Sequence, residues 1–246
     1  MIHKRLREAF QFLKNTPFHP QWLAYLKKEQ NFKEIGKKAR GLILDIGCGD
    51  KTLRSYISPQ ASYRGLDYYS TGKKTQHVMP DIWGDAQKLP VADRSIDSVI
   101  LVNVLDDLPD PDQCVKEISR ILKPHGVFVL QAPFLYPLHD SPFDFHRWTL
   151  QGLRNLVTKY GFTILEEKSF GQPTETAAFL TNIAFSKAAL NMLGRNNPLA
   201  FPLILSLAVL VPIINITGWA FVRISPEEPM MPMSHRLVCS KPPSQA

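Results

Sequence analysis

Three acidic residues, each placed where an apolar run ends, are best suited to hold a small charged molecule. Asp45 lies in LILDIGCGD just before Gly47 and Gly49, Asp67 ends SYRGLD, and Asp85 follows in GDAQKLP. Because a carboxylate beside a glycine turn repels a pyrophosphate, we expect the ligand at Asp45 to carry a positive ammonium or sulfonium centre. The glycines allow that ligand to approach the backbone closely.

The other two acids fit the rest of a nucleoside. Asp67 is placed to accept hydrogen bonds from both hydroxyls of a ribose, and Asp85 from the amino group of an adenine. Thr52 stands where a GxGxxG fingerprint has its third glycine, which argues against a nicotinamide cofactor. Asp85 has a plainer alternative as the cap of a turn, whereas Asp45 and Asp67 are costly to bury without a partner.

The elements that must position these acids alternate between strands and helices from Gly41 onward. The apolar runs LILDI, SYRGLD, SIDSVILVNV and GVFVLQA are typical of buried strands. Between the last two, PDQCVKEISRILKPHG has an apolar helical face, with Lys123-Pro124-His125-Gly126 as a stop. This alternation predicts an α/β fold with a parallel sheet covered on both faces, and ligands bind at the carboxyl ends of such strands.

Together these motifs resemble the class I S-adenosylmethionine-dependent methyltransferases, in particular the type 11 group. The resemblance rests on LDIGCGD, YRGLD, GDAQKLPVADRSIDSVILVNVL and EISRILKPHGVFVL, within residues 41–168. It implies a Rossmann-like, mostly parallel seven-stranded sheet, S-adenosylmethionine as cofactor and methyl transfer as the reaction. It also implies contacts with the methionine end of the cofactor, the ribose and the adenine. The residues it places at the cofactor are Asp45, Gly47, Cys48, Gly49, Asp67, Asp85, Ala86 and Asn103.

Two positions depart from the family pattern. Lys51 stands where many members have another glycine, and Asp106-Asp107 stand where relatives often have a Glu-His pair. These departures leave open an alternative function, a non-catalytic membrane-associated module that binds S-adenosylmethionine. Methylation of nucleic acid is the least favoured alternative, because the chain has no recognisable RNA-binding module.

The loop after GVFVLQA contains residues that can move a proton. In this family the acceptor usually lies beside the loops after the fourth and fifth strands. An oxygen acceptor needs a nearby proton acceptor, and we expect His139 to serve, oriented by Asp140 or Asp144. The segment FLYPLHDSPFDFHRWT resembles a subgroup often associated with bacterial surface-glycan and lipid pathways.

Two alternatives apply to the same loop. Asp144 and Arg147 could form an ion pair that locks it, with His146 packed against Trp148. A metal site formed by His139, Asp140 and His146 is not predicted, because their spacing matches no established ligand pattern.

A long uncharged stretch interrupts the second half of the chain. Residues 199–222 carry no charge and are long enough to span a membrane, which takes about 20 residues. HRLVCSK resembles the last strand of the methyltransferase sheet, which inserts between two earlier strands and must therefore lie in the same compartment as residues 41–168. The chain must then cross a membrane an even number of times or not at all. With residues 176–193 the stretch predicts a helical hairpin. It could contact a bilayer, cover the site as a lid or form a dimer interface; we favour shallow membrane contact, because Lys187 opposes deep insertion.

The basic residues are concentrated at the start of the chain. Residues 1–40 contain ten Lys or Arg and three Glu, so 10 − 3 accounts for the net charge of +7. Helical patterns around Leu6 and Phe10 and around Trp22 and Leu26 predict a basic helical cap. Its partner would be phospholipid headgroups or nucleic acid; a solvated helix face is the plainer alternative.

The predicted organisation has four parts. They are a basic N-terminal cap at 1–40, a methyltransferase core at 41–169, an apolar helical hairpin at 170–232, and the final strand and tail at 233–246. Three separated cysteines without a CxxC motif and an N-terminus without a signal-peptide pattern predict a cytoplasmic setting. The predicted function is O-methylation of a lipid-like or lipid-linked glycan acceptor at the inner face of the membrane.

Overall fold

The computed structural model of the protein describes residues 12–75, 77–226 and 230–243. Contacts divide them into two compact units. One contains Gln30–Ser169 and the chain from Ser234 onward, and the other contains the described residues up to Glu29 together with Phe170–Met233. The predicted helical pattern at Leu6 and Phe10 lies outside the described residues.

The first unit is built on a seven-stranded sheet with the order β3-β2-β1-β4-β5-β7-β6. Its strands are β1 Leu42–Ile46, β2 Ser62–Asp67, β3 Ile82–Trp83, β4 Ile96–Val102, β5 Leu122–Pro133, β6 Thr163–Phe170 and β7 Ser234–Ser240. Strands β1 to β5 pair in parallel, and β7 pairs antiparallel with β5. The predicted mostly parallel sheet, with HRLVCSK inserted between two earlier strands, is confirmed.

The helix boundaries follow from local signals. The helices are α1 Trp22–Leu26, α2 Lys28–Lys38, α3 Tyr69–Thr75, α4 Pro111–Ile121, α5 Leu150–Lys159, α6 Pro173–Gly194 and α7 Ala200–Ile224. Before α4, the Asp110 side chain accepts a hydrogen bond from the Gln113 N–H at 3.0 Å. Before α5, Thr149 accepts one from the Gly152 N–H at 3.0 Å. These caps satisfy N–H groups that a helix start leaves unpaired.

Consecutive residues of the central strands pack on opposite faces of the sheet. In β4, Val99 and Leu101 lie in a core that includes Cys114 of α4 and Leu153 of α5. Ile100 lies in the opposite core with Ile35 of α2. Burial on both faces explains why the strands appear as nearly continuous apolar runs.

The strand after α4 starts earlier than the run GVFVLQA. The helix ends before Lys123-Pro124-His125-Gly126, as the predicted stop requires, but β5 begins at Leu122 and includes these four residues. The pairing with β4 shifts register between Ile96 and Ser98, which accommodates the irregular start of the strand. The helix still ends at Ile121, since a proline at 124 disfavours helix for the residue before it.

In the second unit α6 and α7 form the predicted apolar helical pair. Asn182 of α6 and Asn215 of α7 are buried and joined by a hydrogen bond of 2.9 Å. The Asn215 amide also donates to the backbone carbonyls of Pro17 and His19, at 2.7 and 3.0 Å. Of the helices described, α7 alone is long and apolar enough to cross a membrane, and only 22% of its most apolar window is buried.

Candidate active site

A glycine turn follows β1 at the carboxyl edge of the sheet. Gly47 and Gly49 have φ values of +71° and +51°, in the region that favours glycine. A Cβ on Gly47 would lie 2.1 Å from Val104 Cγ2, so the close packing of the turn also requires glycine there. A Cβ on Gly49 would have no neighbour within 4 Å among the described residues, which leaves its backbone open to a ligand.

Asp45, near the end of β1, is a buried carboxyl group. It is 3% exposed and accepts a hydrogen bond from the Tyr63 hydroxyl at 2.5 Å. Burial raises the pKa of Asp45 to about 7, against the opposing effect of the Tyr63 hydrogen bond, and the charge of Asp67 raises it further. A cation bound nearby would favour the ionised form.

Asp67, at the end of β2, is fixed by two backbone donors. Its Oδ2 accepts from the Gly49 N–H at 2.9 Å and its Oδ1 from the Tyr68 N–H at 2.7 Å. A carboxylate has about four acceptor sites, so a group of this kind can accept from backbone donors and from hydroxyls together. The hydrogen bond from Gly49 joins the glycine turn to the ribose position predicted from the sequence.

Cys48 lies between the two glycines and packs against β2. A Cβ on Gly65 of β2 would lie 2.7 Å from Cys48 Sγ. Burial raises the pKa of the Cys48 thiol to about 12. This position therefore contributes packing below the turn, and its thiol is not activated as a nucleophile.

The remaining predicted cofactor residues follow β3 and β4. Asp85 Oδ1 accepts from the Gln87 N–H at 2.8 Å, so the turn cap considered as an alternative is present. Ala86 is buried in the core, and Asn103 is exposed with φ +54°. Because β3, β2, β1 and β4 are neighbours in the sheet, all eight predicted cofactor residues lie along one edge.

Lys51 has a backbone conformation that favours glycine. Its φ is +54°, a left-handed conformation that glycine adopts without strain. Its Nζ lies 2.9 Å from Asp81 Oδ1, and its side chain is only 10% exposed. The ion pair holds the lysine side chain while the backbone keeps the shape of a glycine turn.

A second group of titratable side chains lies beyond β4 and β5. Asp106 and Asp107 belong to a short 3₁₀ turn, Leu105–Asp107, and His139 and Asp144 lie in the loop after β5. His139 Nε2 is 3.5 Å from Asp106 Oδ2 and 3.9 Å from Asp107 Oδ1. His139 Nδ1 is 3.4 Å from Asp144 Oδ2. We call these four residues the acid-histidine cluster.

An ion pair fixes the loop that carries His139. Arg147 places Nη1 2.5 Å from Asp144 Oδ1 and Nη2 2.9 Å from Asp144 Oδ2. The pair lowers the pKa of Asp144 to about 2. The rings of His146 and Trp148 lie 5.6 Å apart, so both contacts of the plainer alternative are present. The ion pair also holds the backbone of His139, because Asp144 accepts a hydrogen bond from the His139 N–H at 2.8 Å.

In the sequence, Asp106 and Asp107 are recognisable only as departures from the family pattern. Asp106 is 0% exposed, and burial raises its pKa. Burial, followed by the charge of Asp106, raises the pKa of Asp107 to about 7. Two consecutive acids a few residues after the end of β4 are the signal that could have placed them in the site. Asp140, expected as one of two partners for His139, is exposed.

Comparisons with known proteins agree with this arrangement. A family model described as a methyltransferase domain matches residues 44–130. A demethylmenaquinone methyltransferase of Lactobacillus johnsonii is 34% identical over 113 residues, which are 40% of this chain and 46% of that protein. A fatty-acid O-methyltransferase of Mycolicibacterium smegmatis is 32% identical over 109 residues, 41% of this chain and 39% of that protein. The chain thus spans less than half the length of these curated relatives.

A solved structure extends the likeness to the fold. The structure of a SAM dependent methyltransferase from Archaeoglobus fulgidus covers 95% of this chain and 99% of its own, with a TM-score of 0.56 and 15% identity. The segment matched by the family model begins in β1 and ends in β5, and includes Asp45, Asp67 and Asp85. Residues 44–130 therefore match a methyltransferase domain, and the seven-stranded sheet around them has the fold of a solved S-adenosylmethionine-dependent methyltransferase.

Proposed function

We propose that the protein transfers the methyl group of S-adenosylmethionine to an oxygen atom of a lipid-like or lipid-linked glycan acceptor at a membrane surface. The donor supplies a methyl group on a positively charged sulfur. The observation that carries the proposal is the pair of buried acids, Asp45 and Asp67, on either side of an open glycine turn. Buried carboxyl groups at this edge are stabilised by a positively charged nucleoside.

The roles of the cofactor residues follow from their places at the strand ends. Asp45 and the backbone of Gly47 to Gly49 would hold the methionine end, with Cys48 packed beneath. Asp67 would bind the ribose hydroxyls, and Asp85 the adenine amino group, with Ala86 beside the ring. Asn103, after β4, would flank the cofactor on the acceptor side.

His139 would take the proton of an acceptor hydroxyl. Transfer between aligned reactants depends mainly on proximity, and an oxygen acceptor also loses a proton. The Asp144–Arg147 pair holds the loop, and Asp144 lies beside Nδ1 of His139, so Nε2 points away from Asp144 and towards Asp106 and Asp107. Asp140 would assist from the exposed side of the same loop.

An amphipathic acceptor is supported by apolar side chains around the acid-histidine cluster. Leu138, Phe143 and Phe145 lie on the same loop and are exposed. Exposed apolar side chains grouped beside polar ones are typical of sites that bind partly apolar molecules. The names of two relatives, a demethylmenaquinone methyltransferase and a fatty-acid O-methyltransferase, point to the same class of acceptor.

Membrane contact is supported by the second unit. Exposed apolar residues of α7 include Phe201, Leu205 and Val209, spaced one helical turn apart. Such a face is typical of helices that lie in the headgroup region of a bilayer. Lys187 of α6 is exposed, and Arg195 lies in the short segment between α6 and α7, which favours shallow contact over a crossing.

The test uses the full chain, donor labelled in its methyl group and a total lipid extract. We expect label to appear in a lipid-soluble product, and the Asp67→Asn variant to lose most of this transfer because its side chain no longer accepts from both ribose hydroxyls. Calorimetry with S-adenosylhomocysteine checks cofactor binding separately. If the folded wild-type protein binds neither the donor nor S-adenosylhomocysteine, the proposal is wrong; binding without transfer would favour a non-catalytic module.

A further inference from the structure

We propose that the acid-histidine cluster is a binding site for one divalent cation of the Mn²⁺ or Zn²⁺ type. Asp106, Asp107, His139 and Asp144 each offer one ligand atom, and these atoms lie within 4.8 Å of one another. Two of the residues come from the turn after β4 and two from the loop after β5. The fold therefore brings together a ligand set that no sequence spacing reveals.

A buried carboxyl group without a hydrogen-bond donor from a neighbour separates this cluster from an ordinary group of surface acids. Asp106 is 0% exposed, and neither of its oxygens accepts a hydrogen bond from another residue that the structure describes; His139 Nε2 lies 3.5 Å from Oδ2. The same holds for Oδ1 of Asp107. Burying a carboxyl group without a partner is costly, and buried charges in proteins are usually paired or coordinate metals. A bound cation would supply the missing partner for three oxygens at once.

The imidazole of His139 is turned so that one nitrogen faces these oxygens. Its Nδ1 lies 3.3 Å from the carbonyl oxygen of Pro137 and 3.4 Å from Asp144 Oδ2. Its Nε2 faces Asp106 Oδ2 at 3.5 Å and Asp107 Oδ1 at 3.9 Å, beyond ordinary hydrogen-bond length. Two ligand atoms bound about 2.1 Å from one tetrahedral ion stand roughly 3.4 Å apart.

The charges and ligand types indicate which ion fits. With all three carboxyl groups ionised and the imidazole neutral, the cluster and the guanidinium of Arg147 together carry a charge of −2, which a divalent cation balances. Both oxygens of Asp144 already bind Arg147, so Asp106, Asp107 and His139 would be the principal ligands. Carboxylates suit Mn²⁺ and imidazole suits Zn²⁺, so a mixed set favours these ions over Mg²⁺ or Ca²⁺.

The ion would change what the site does with an acceptor. Three protein ligands leave a coordination position open, which an acceptor oxygen can occupy. His139 would then be a ligand instead of the proton acceptor, and the acceptor hydroxyl, made more acidic by its bond to the ion, would release its proton to solvent. This consequence rests on the proposed function, whereas ion binding itself needs neither donor nor acceptor.

The test is a titration of the chelator-treated full chain with Mn²⁺, followed by electron paramagnetic resonance, with Zn²⁺ as competitor. We expect one Mn²⁺ per chain, displaced by Zn²⁺. Asp106→Asn and His139→Gln should each weaken binding by about tenfold or more. Asp112→Asn, which removes an exposed acid on α4, should bind as the wild type does.

Thermal unfolding identifies any variant that does not fold. If Asp106→Asn fails to fold, His139→Gln decides the matter, because that side chain is partly exposed. Absence of Mn²⁺ and Zn²⁺ binding to the folded wild type, or unchanged binding by a folded cluster variant, would overturn the ion site. If the chelator-treated protein still transfers methyl groups, the proposed function holds without the ion. If the protein binds Mn²⁺ but not S-adenosylhomocysteine, only the proposed function is contradicted.

Discussion

The buried carboxyl group of Asp45 should make the affinity for the cofactor depend on pH. Burial raises its pKa to about 7, so the free protein holds this group mostly protonated below that pH. A cationic ligand binds better to the ionised form. We therefore expect the Kd for S-adenosylmethionine to be roughly tenfold weaker at pH 5.5 than at pH 7.5, measured by calorimetry.

The Tyr63 hydroxyl supplies the control for this prediction. It donates to Asp45 and thereby lowers the pKa that burial raises. Tyr63→Phe should move the midpoint of the affinity profile to higher pH, because the carboxylate loses its donor. Tyr160→Phe, on the surface near Asp112, should leave the profile unchanged. If the Kd of the wild type for S-adenosylmethionine did not change between pH 5.5 and 7.5, Asp45 would not be the group that interacts with the positive charge of the cofactor.

Replacement of Gly47 tests the close packing of the glycine turn. Alanine there would place Cβ 2.1 Å from Val104 Cγ2 in a backbone with φ +71°. Gly161 is a matched control, since its φ is +80° and no described atom lies within 4 Å of an added Cβ. Urea denaturation should show that Gly47→Ala costs about 1–3 kcal/mol more than Gly161→Ala. Equal costs would mean that the turn relaxes around the methyl group.

The conformation of the loop after β5 depends on one arginine. Arg147 binds both oxygens of Asp144 and donates to the carbonyls of Tyr136, Pro137 and His146. Lysine keeps the charge but cannot reproduce the planar set of donors. Arg147→Lys should therefore speed hydrogen exchange across residues 139–147 by about tenfold, an opening cost of about 1.4 kcal/mol.

A matched surface substitution checks that prediction. Arg154→Lys removes a similar pair with Glu167 on the outside of α5, and exchange in the loop should stay at the wild-type rate. Exchange of β1 should not change in either variant. Unchanged exchange of the loop in Arg147→Lys would show that packing, for example of His146 on Trp148, holds it instead.

The same elements show what the sequence could and could not predict. Strands β1 and β4 were predictable because both faces are buried and most of their positions are apolar. The cap at Thr149 and the glycine turn were predictable because each depends on a few adjacent residues. The acid-histidine cluster was not, because Asp106 and His139 meet only when two loops pack at the sheet edge. The start of β5 was missed because Leu122 pairs with Ile96 of β4, ahead of a register shift that leaves residues 123–126 without a partner in β4.

The exposed apolar face of α7 predicts that the protein binds to lipid bilayers. Phe201, Leu205 and Val209 are 77%, 68% and 60% exposed. Burying them in a bilayer would contribute a few kcal/mol, and the +7 net charge adds attraction to anionic headgroups. We expect the full chain to float with anionic liposomes, and the triple change of these residues to Gln to reduce the bound fraction about tenfold.

The control for flotation is an apolar residue exposed elsewhere. Leu165 of β6 is 62% exposed, so Leu165→Gln alters surface hydrophobicity outside the helical pair. It should float as the wild type does. Loss of binding only at high salt would assign the contact to the basic residues, and equal flotation of the triple variant and the wild type would exclude α7 from the contact.

The place of β7 in the chain has a consequence for biosynthesis. Seven residues of β7 pair with Val127–Pro133 of β5, yet they are made after α6 and α7. During translation the hydrogen-bonding edge of β5 therefore remains without its partner strand β7 for several seconds. A polypeptide cut off before Ser234 would keep its apolar hairpin but expose a bare strand edge, the kind of surface that recruits other chains into aggregates.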